Sequence, residues 1–127
     1  MRLEYLPDGA PDCPLIRLYD FDRRAVATLR NLVAELADGS RSEILVHELP
    51  SIEPLNGCQL ALELGKRDLG VIPGQRPNSF RCVLTDSTWE GVAELIEPFC
   101  ESQQIAGFQW LSHDGRISLL LSTDGQW

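Results

Sequence analysis

The sequence predicts an α+β fold. Two strand-helix-strand-strand repeats merge into a six-stranded antiparallel sheet, with both helices on one face and a pseudo-twofold axis between the halves. Three observations predict it. Residues 22–37 and 89–99 each carry apolar side chains at three- and four-residue steps, the period of one helix face. Short apolar runs at 15–19, 59–64, 80–85 and 117–121 are bounded by turn-forming residues, as strands are. The segment 15–48 also aligns without a gap onto 81–114. That offset of 66 sets Leu18 on Leu84, Asp20 on Asp86, Leu29 on Leu95, Leu45 on Leu111 and His47 on His113.

The elements follow in order. Residues 1–14 hold Pro7, Gly9, Pro11 and Pro14 and read as an irregular arm with a short strand at Arg2–Leu6. The first repeat spans 15–65. It opens with the strand Leu15–Tyr19. A helix follows whose stripe is Val26, Leu29, Leu32, Val33 and Leu36, capped by Asp20 or Asp22 and stopped at Asp38-Gly39. Glu43–Leu49 is the second strand, Pro50, Pro54 and Asn56-Gly57 make a loop, and Gln59–Leu64 alternates as a half-buried third strand. Residues 66–79 are a basic linker punctuated by Gly70, Pro73, Gly74 and Pro77. The second repeat spans 80–122. Phe80–Thr85 is its first strand. Ser87-Thr88-Trp89-Glu90 reads as a capping box ahead of a stripe of Trp89, Val92, Leu95, Ile96 and Phe99, with Pro98 ending the helix. Gly107–Ser112, an Asp114-Gly115 hairpin turn and a strand through Ile117, Leu119 and Leu121 complete it, these last three pairing with Leu60, Leu62 and Leu64 of the first repeat.

The 127 residues suit one domain, able to bury roughly two-thirds of its unfolded surface without staples. A net charge of −8 argues against nucleic acid, which demands a basic footprint. The longest clean apolar run is Leu119-Leu120-Leu121, far short of a membrane span, and the first residues lack the apolar core of a signal peptide, so a cytoplasmic protein is expected. Cys13, Cys58, Cys82 and Cys100 lie far apart with no CxxC pair and read as reduced thiols. No Cys or His pair has zinc-ligand spacing, and no metal or other cofactor is expected.

The order of elements, repeated once, resembles the duplicated module of the bacterial effector-binding domains and the SOUL haem-binding proteins. The resemblance covers residues 15–122 and is one of topology, with no motif to carry over. It implies a groove between the halves that takes bulky apolar or cationic small molecules near an acidic residue, and Glu63 is the candidate for that residue. The tautomerase-like trimers repeat a related unit, but their N-terminal catalytic proline has no counterpart, because position 2 is Arg2.

The candidate site residues are few. An axis between the second strands would let His47 and His113 face each other and hold a metal, a haem or an acidic ligand. Asp20 and Asp86 read as helix caps rather than a catalytic pair. The stretch 65–81 is locally basic, and Arg67, Arg76 and Arg81 could together clamp a phosphate or carboxylate. Trp110 is expected to line the groove with Glu63. Cys58 has no neighbouring base to activate it. Apolar residues on both faces of the second strands (Leu45 with Leu111, Ile44 with Trp110) call for a cover over the outer sheet face, supplied by a ligand, the N-terminal arm or a second copy. The expected function is a non-catalytic binding module, a homodimer holding a small amphipathic ligand or a protein surface in the groove. The alternative is a small enzyme or a haem or metal protein using His47, His113 or Cys58.

Overall fold

The computed structural model describes residues 1–101, 106–113 and 115–127. The expected Asp114-Gly115 turn therefore lies outside the described residues. The fold is α+β with two helices, but its strands form two mixed sheets of five and four strands rather than one six-stranded antiparallel sheet. The strands are β1 (Arg2–Leu6), β2 (Leu15–Tyr19), β3 (Glu43–Leu45), β4 (Glu53–Pro54), β5 (Gln59–Leu64), β6 (Gly70–Pro73), β7 (Ser79–Leu84), β8 (Phe108–Ser112) and β9 (Ser118–Ser122). The helices are α1 (Arg23–Asp38) and α2 (Asp86–Ile96). The first sheet runs β4-β1-β2-β9-β8 and the second β3-β5-β7-β6.

The correction has a clear physical cause. At the centre of each sheet is a parallel pair joining the two halves: β2 with β9, and β5 with β7. Parallel strands are covered on both faces and read as continuous apolar runs rather than alternating ones. Buried residues crowd both faces of Leu15-Ile16-Arg17-Leu18-Tyr19 and of Leu119-Leu120-Leu121-Ser122 in this way. Each sheet thus takes the first strands of one half and the last strands of the other.

The pairing nonetheless repeats along the chain. Glu4 faces Arg17 and Gly70 faces Val83, positions separated by 66 on both strands. Leu15 faces Ser118, and Arg81, 66 further on than Leu15, faces Ala61, which lies 57 before Ser118. That second spacing is the one that sets Leu60 on Ile117. The helices follow a different offset. Asp22 caps α1 by accepting the Ala25 N–H at 2.8 Å, and Thr85, 63 residues later, caps α2 by accepting the Thr88 N–H. Val26, Leu29 and Val33 then correspond to Trp89, Val92 and Ile96, all buried. Leu95, matched to Leu29 from the sequence, is instead 37% exposed. The cap also sits at Thr85, two residues before the expected Ser87, because Asp68 accepts from the Thr85 N–H and the Thr85 and Thr88 hydroxyls and fixes the turn there.

Two further elements differ from expectation. Residues 70–73 of the expected linker form β6, the edge strand beside β7. The expected strand Glu43–Leu49 stops at Leu45 and continues as a 3-10 turn over Val46–Glu48. One apolar core joins all the layers: Leu3, Ile16 and Leu18 from the first sheet, Leu60, Leu62 and Leu84 from the second, and Leu29, Val33, Trp89 and Ile96 from the helices. A bridge between Val71 and Ile117 ties the edge of β6 to the start of β9.

The outer face of the first sheet is roofed by the N-terminal arm and the segment 123–127. Arg17 on β2 donates to Glu4 at 2.6 Å and 2.9 Å and to the Gly125 carbonyl at 2.7 Å, while its guanidinium lies 4.1 Å from the Tyr19 ring centroid. Gly125 has φ +86°, and a Cβ there would sit 2.8 Å from the Arg17 guanidinium, so the close approach requires glycine. Trp127 Nε1 donates to Asp12 at 3.0 Å and holds the segment to the arm.

Candidate functional site

The structure disperses the residues that the sequence singled out. His47 lies in the 3-10 turn after β3, and its Nδ1 accepts the Leu60 N–H at 3.1 Å, tying the turn to β5. His113 follows β8, is exposed and packs 5.0 Å from the Trp110 ring. The two imidazoles belong to different sheets and have different tasks. Glu63 and Trp110 are likewise on different sheets. Arg81 Nε and Nη2 donate to the two Glu63 carboxylate oxygens at 2.7 Å and 2.8 Å, so the expected acidic ligand group is already paired. Arg67 precedes β6 and Arg76 follows it, while Arg81, the third arginine of the expected clamp, is held on Glu63. Cys58 is buried, and that burial, with Glu4 adding a smaller effect, pushes its thiol up to about 11. A thiol so raised is almost wholly protonated at neutral pH and is a poor nucleophile.

A concavity lies elsewhere, between α1 and α2. It is an open groove of about 500 Å³. Ala34, Ala37 and Ala93 form its apolar lining. Small side chains there let the helices approach, so the groove is broad rather than deep. Its charged rim is Arg30, Asp38, Glu90, Glu94 and Glu97. Arg30 Nε approaches Glu97 at 2.6 Å, which leaves Asp38, Glu90 and Glu94 with no ion-pair partner among the described residues.

The helices carry these charges against local preference. Residues four apart on a helix are neighbours, and like charges at that spacing repel by about 0.2–0.5 kcal/mol per pair. Asp86, Glu90 and Glu94 stand at that spacing, so α2 presents a carboxylate stripe. On α1 the order opposes the helix dipole. Arg23 and Arg24 stand in the first turn, with no acid, and Asp38 closes the last turn, with no base. Hydrogen bonds from Ser40, first from its hydroxyl and then from its N–H, hold the Asp38 carboxyl below its usual range and keep it charged. Among the described residues no three His, Cys, Asp or Glu side chains converge as a metal-binding set.

A second concavity, of about 450 Å³, opens under the roof of the first sheet and is lined by Pro11, Asp12, Phe108, Trp110 and Trp127, with Ala10 and Gln126. Sequence reasoning placed Trp110 in a groove between the halves with Glu63, and did not foresee the neighbours it has here. Asp12 and Trp127 are 115 residues apart and meet only because β2 and β9 are adjacent. The acidic groove was equally hard to foresee. A spacing of four along α2 was legible, but its pairing with α1 was not.

No protein family, curated protein or solved structure matches this chain. The functional reading therefore rests on geometry and charge.

Proposed function

We propose that the chain is a non-catalytic interaction module that docks a basic segment of a protein partner in the groove between α1 and α2. One observation carries this reading: among the described residues Asp38, Glu90 and Glu94 have no ion-pair partner at the rim of this groove, although Arg2, Arg17, Arg41 and Arg81 pair with carboxylates elsewhere in the chain. The shape fits the charge. A broad trough with an alanine lining and acidic walls accepts a helix or an extended strand bearing Lys or Arg, whose aliphatic stems cover the alanines while their heads reach the carboxylates. Such electrostatic complementarity speeds encounter and selects the partner. Catalysis is less well supported, because His47 is engaged by the Leu60 N–H and the Cys58 thiol is driven towards its neutral form. A second copy of the chain is not needed for this reading, since the arm and the segment 123–127 already roof the outer face of the first sheet.

The test is a titration with a lysine- and arginine-rich helical peptide, followed by calorimetry at low and physiological salt. Binding should weaken as salt rises. The double substitution Glu90→Gln, Glu94→Gln should weaken it about tenfold, on the order of 1.4 kcal/mol. A peptide that ignores the double substitution, or that fails to bind at low salt, refutes the reading. Sedimentation at two concentrations separates peptide binding from self-association.

A further inference from the structure

The cleft under the roof of the first sheet combines three aromatic rings with a carboxylate. Phe108 is 46% exposed, and its ring meets Trp110 edge to face, with centroids 6.4 Å apart. Trp127 forms another wall, oriented by its indole N–H on Asp12 at 3.0 Å. That wall is preorganised. Ser122 donates to the Gln126 carbonyl at 2.7 Å, the Gly125 N–H returns to Ser122 at 3.0 Å, and Arg17 holds the Gly125 carbonyl. A rigid aromatic platform loses little freedom on binding.

The same sheet face already shows what such a combination recognises. The Arg17 guanidinium stacks on Tyr19 while donating to the Glu4 carboxylate and a backbone carbonyl. The neighbouring cleft offers two of these kinds of partner, ring faces and the Asp12 carboxylate, with no guanidinium of its own in its lining. Cations bind aromatic faces, and a planar guanidinium can stack while its edge donates to an acid, which a compact ammonium cannot do. The cleft also adjoins β8, the last strand of its sheet, whose outer edge pairs with no strand among the described residues. An extended segment can add to such an edge by main-chain hydrogen bonds and present one side chain to the cleft.

We infer that the cleft formed by Phe108, Trp110, Trp127 and Asp12 is a binding site for an arginine side chain carried by an extended segment of a partner protein. The site is on the side of the first sheet away from the core and the helices, so it goes beyond the reading of the helix groove and stands independently of it.

The test is an amide correlation NMR titration of the full chain with a capped pentapeptide carrying a central arginine, beside its citrulline and lysine counterparts. Citrulline keeps the shape and removes the charge. The indole N–H signals of Trp110 and Trp127 should shift saturably with the arginine peptide. That of Trp89, buried and donating to the Glu63 carbonyl, should stay fixed. The citrulline peptide should bind about tenfold more weakly, the discrimination expected of a charge-assisted contact. Asp12→Asn keeps an acceptor for the Trp127 indole while removing the charge, and should abolish the preference for arginine over citrulline. Trp110→Leu should weaken the arginine peptide at least fivefold, with Trp89 reporting that the core is intact. Repeating the titration in the Glu90→Gln, Glu94→Gln chain keeps this site separate from the groove, and the shifts should persist. Citrulline or lysine peptides binding as tightly as arginine, or shifts that never saturate, overturn the inference.

Discussion

Glu90→Lys should stabilise the free protein while impairing its interaction. Glu90 stands four residues after Asp86 and four before Glu94 on α2, so two repulsive neighbours become two attractive ones. Each pair changes from about 0.2–0.5 kcal/mol unfavourable to a similar amount favourable, so the two together gain about 1 kcal/mol or slightly more. The pair that the new lysine makes with Asp86 has the better orientation, acid before base. Arg30 stays on Glu97, further along the chain, so the lysine meets little opposition. For a domain of 127 residues a gain of ~1 kcal/mol raises the thermal midpoint by about 4 °C. Glu90→Gln removes repulsion without adding attraction and should give about half of that. Scanning calorimetry at low salt reads both, and the gain should shrink at high salt as screening takes hold. A destabilised Lys variant, or one unchanged at low salt, would refute the idea that the acidic stripe is retained at a cost to the fold. It would mean instead that Glu90 serves the folded chain through contacts of its own.

Two other outcomes follow. Asp68 accepts from Thr85 and Thr88 at the start of α2, and the Thr85 N–H is the main cause holding its carboxyl below the usual range. A depressed folded value means that Asp68 stabilises the native state above its unfolded value, near pH 4, and loses that contribution as pH falls through the folded value. Urea midpoints of the protein and of Asp68→Ala should therefore differ at pH 6 and converge towards pH 3, and a gap independent of pH would count against the linkage. Cys58, with its thiol at about 11, should resist iodoacetamide at pH 8 in the native state, while the half-exposed Cys13 is alkylated. Peptide mass mapping reads the two sites, and equal labelling would bring back the nucleophile that the sequence reading kept as an alternative.

Much of the local structure was legible. Asp22 and Gly39 mark the ends of α1, and the stripe from Val26 to Leu36 is its buried face. The partners of the strands were not legible. β2 and β9 lie at opposite ends of the chain, and only their near-continuous apolar character hinted that both faces would be covered. β6 was hidden because Gly70 and Pro73 bound a strand whose register is set by β7 rather than by its own pattern. A rigid offset of 66 also misled on α2. The path from strand to cap is three residues shorter before α2 than before α1, which moved Leu95 off the core, while Trp89, Val92, Ile96 and Phe99 of the expected stripe are buried. The candidate sites suffered most, since each depends on strand neighbours. Glu63 was sought beside Trp110 and was found beside Arg81.

The distribution of neutralised and bare carboxylates separates structural roles from recognition. Arg17 holds Glu4, Arg41 reaches Glu35, Arg81 grips Glu63, and Arg2 lies between Asp20 and Glu53, each joining segments that the fold brings together. The exposed pairs among these contribute little to stability, but all show where arginine was available to cancel an acid. Among the described residues no such cancellation occurs at Asp38, where the helix end disfavours negative charge, or at Glu90 and Glu94, which repel each other four residues apart. Conflicts between local preference and the folded state gather at functional surfaces, because a chain selected for stability alone would relieve them. Lysine at any one of these positions would relieve part of the strain without touching the core. Their joint placement on facing helices, around an alanine-lined trough, is what an incoming positive charge would require.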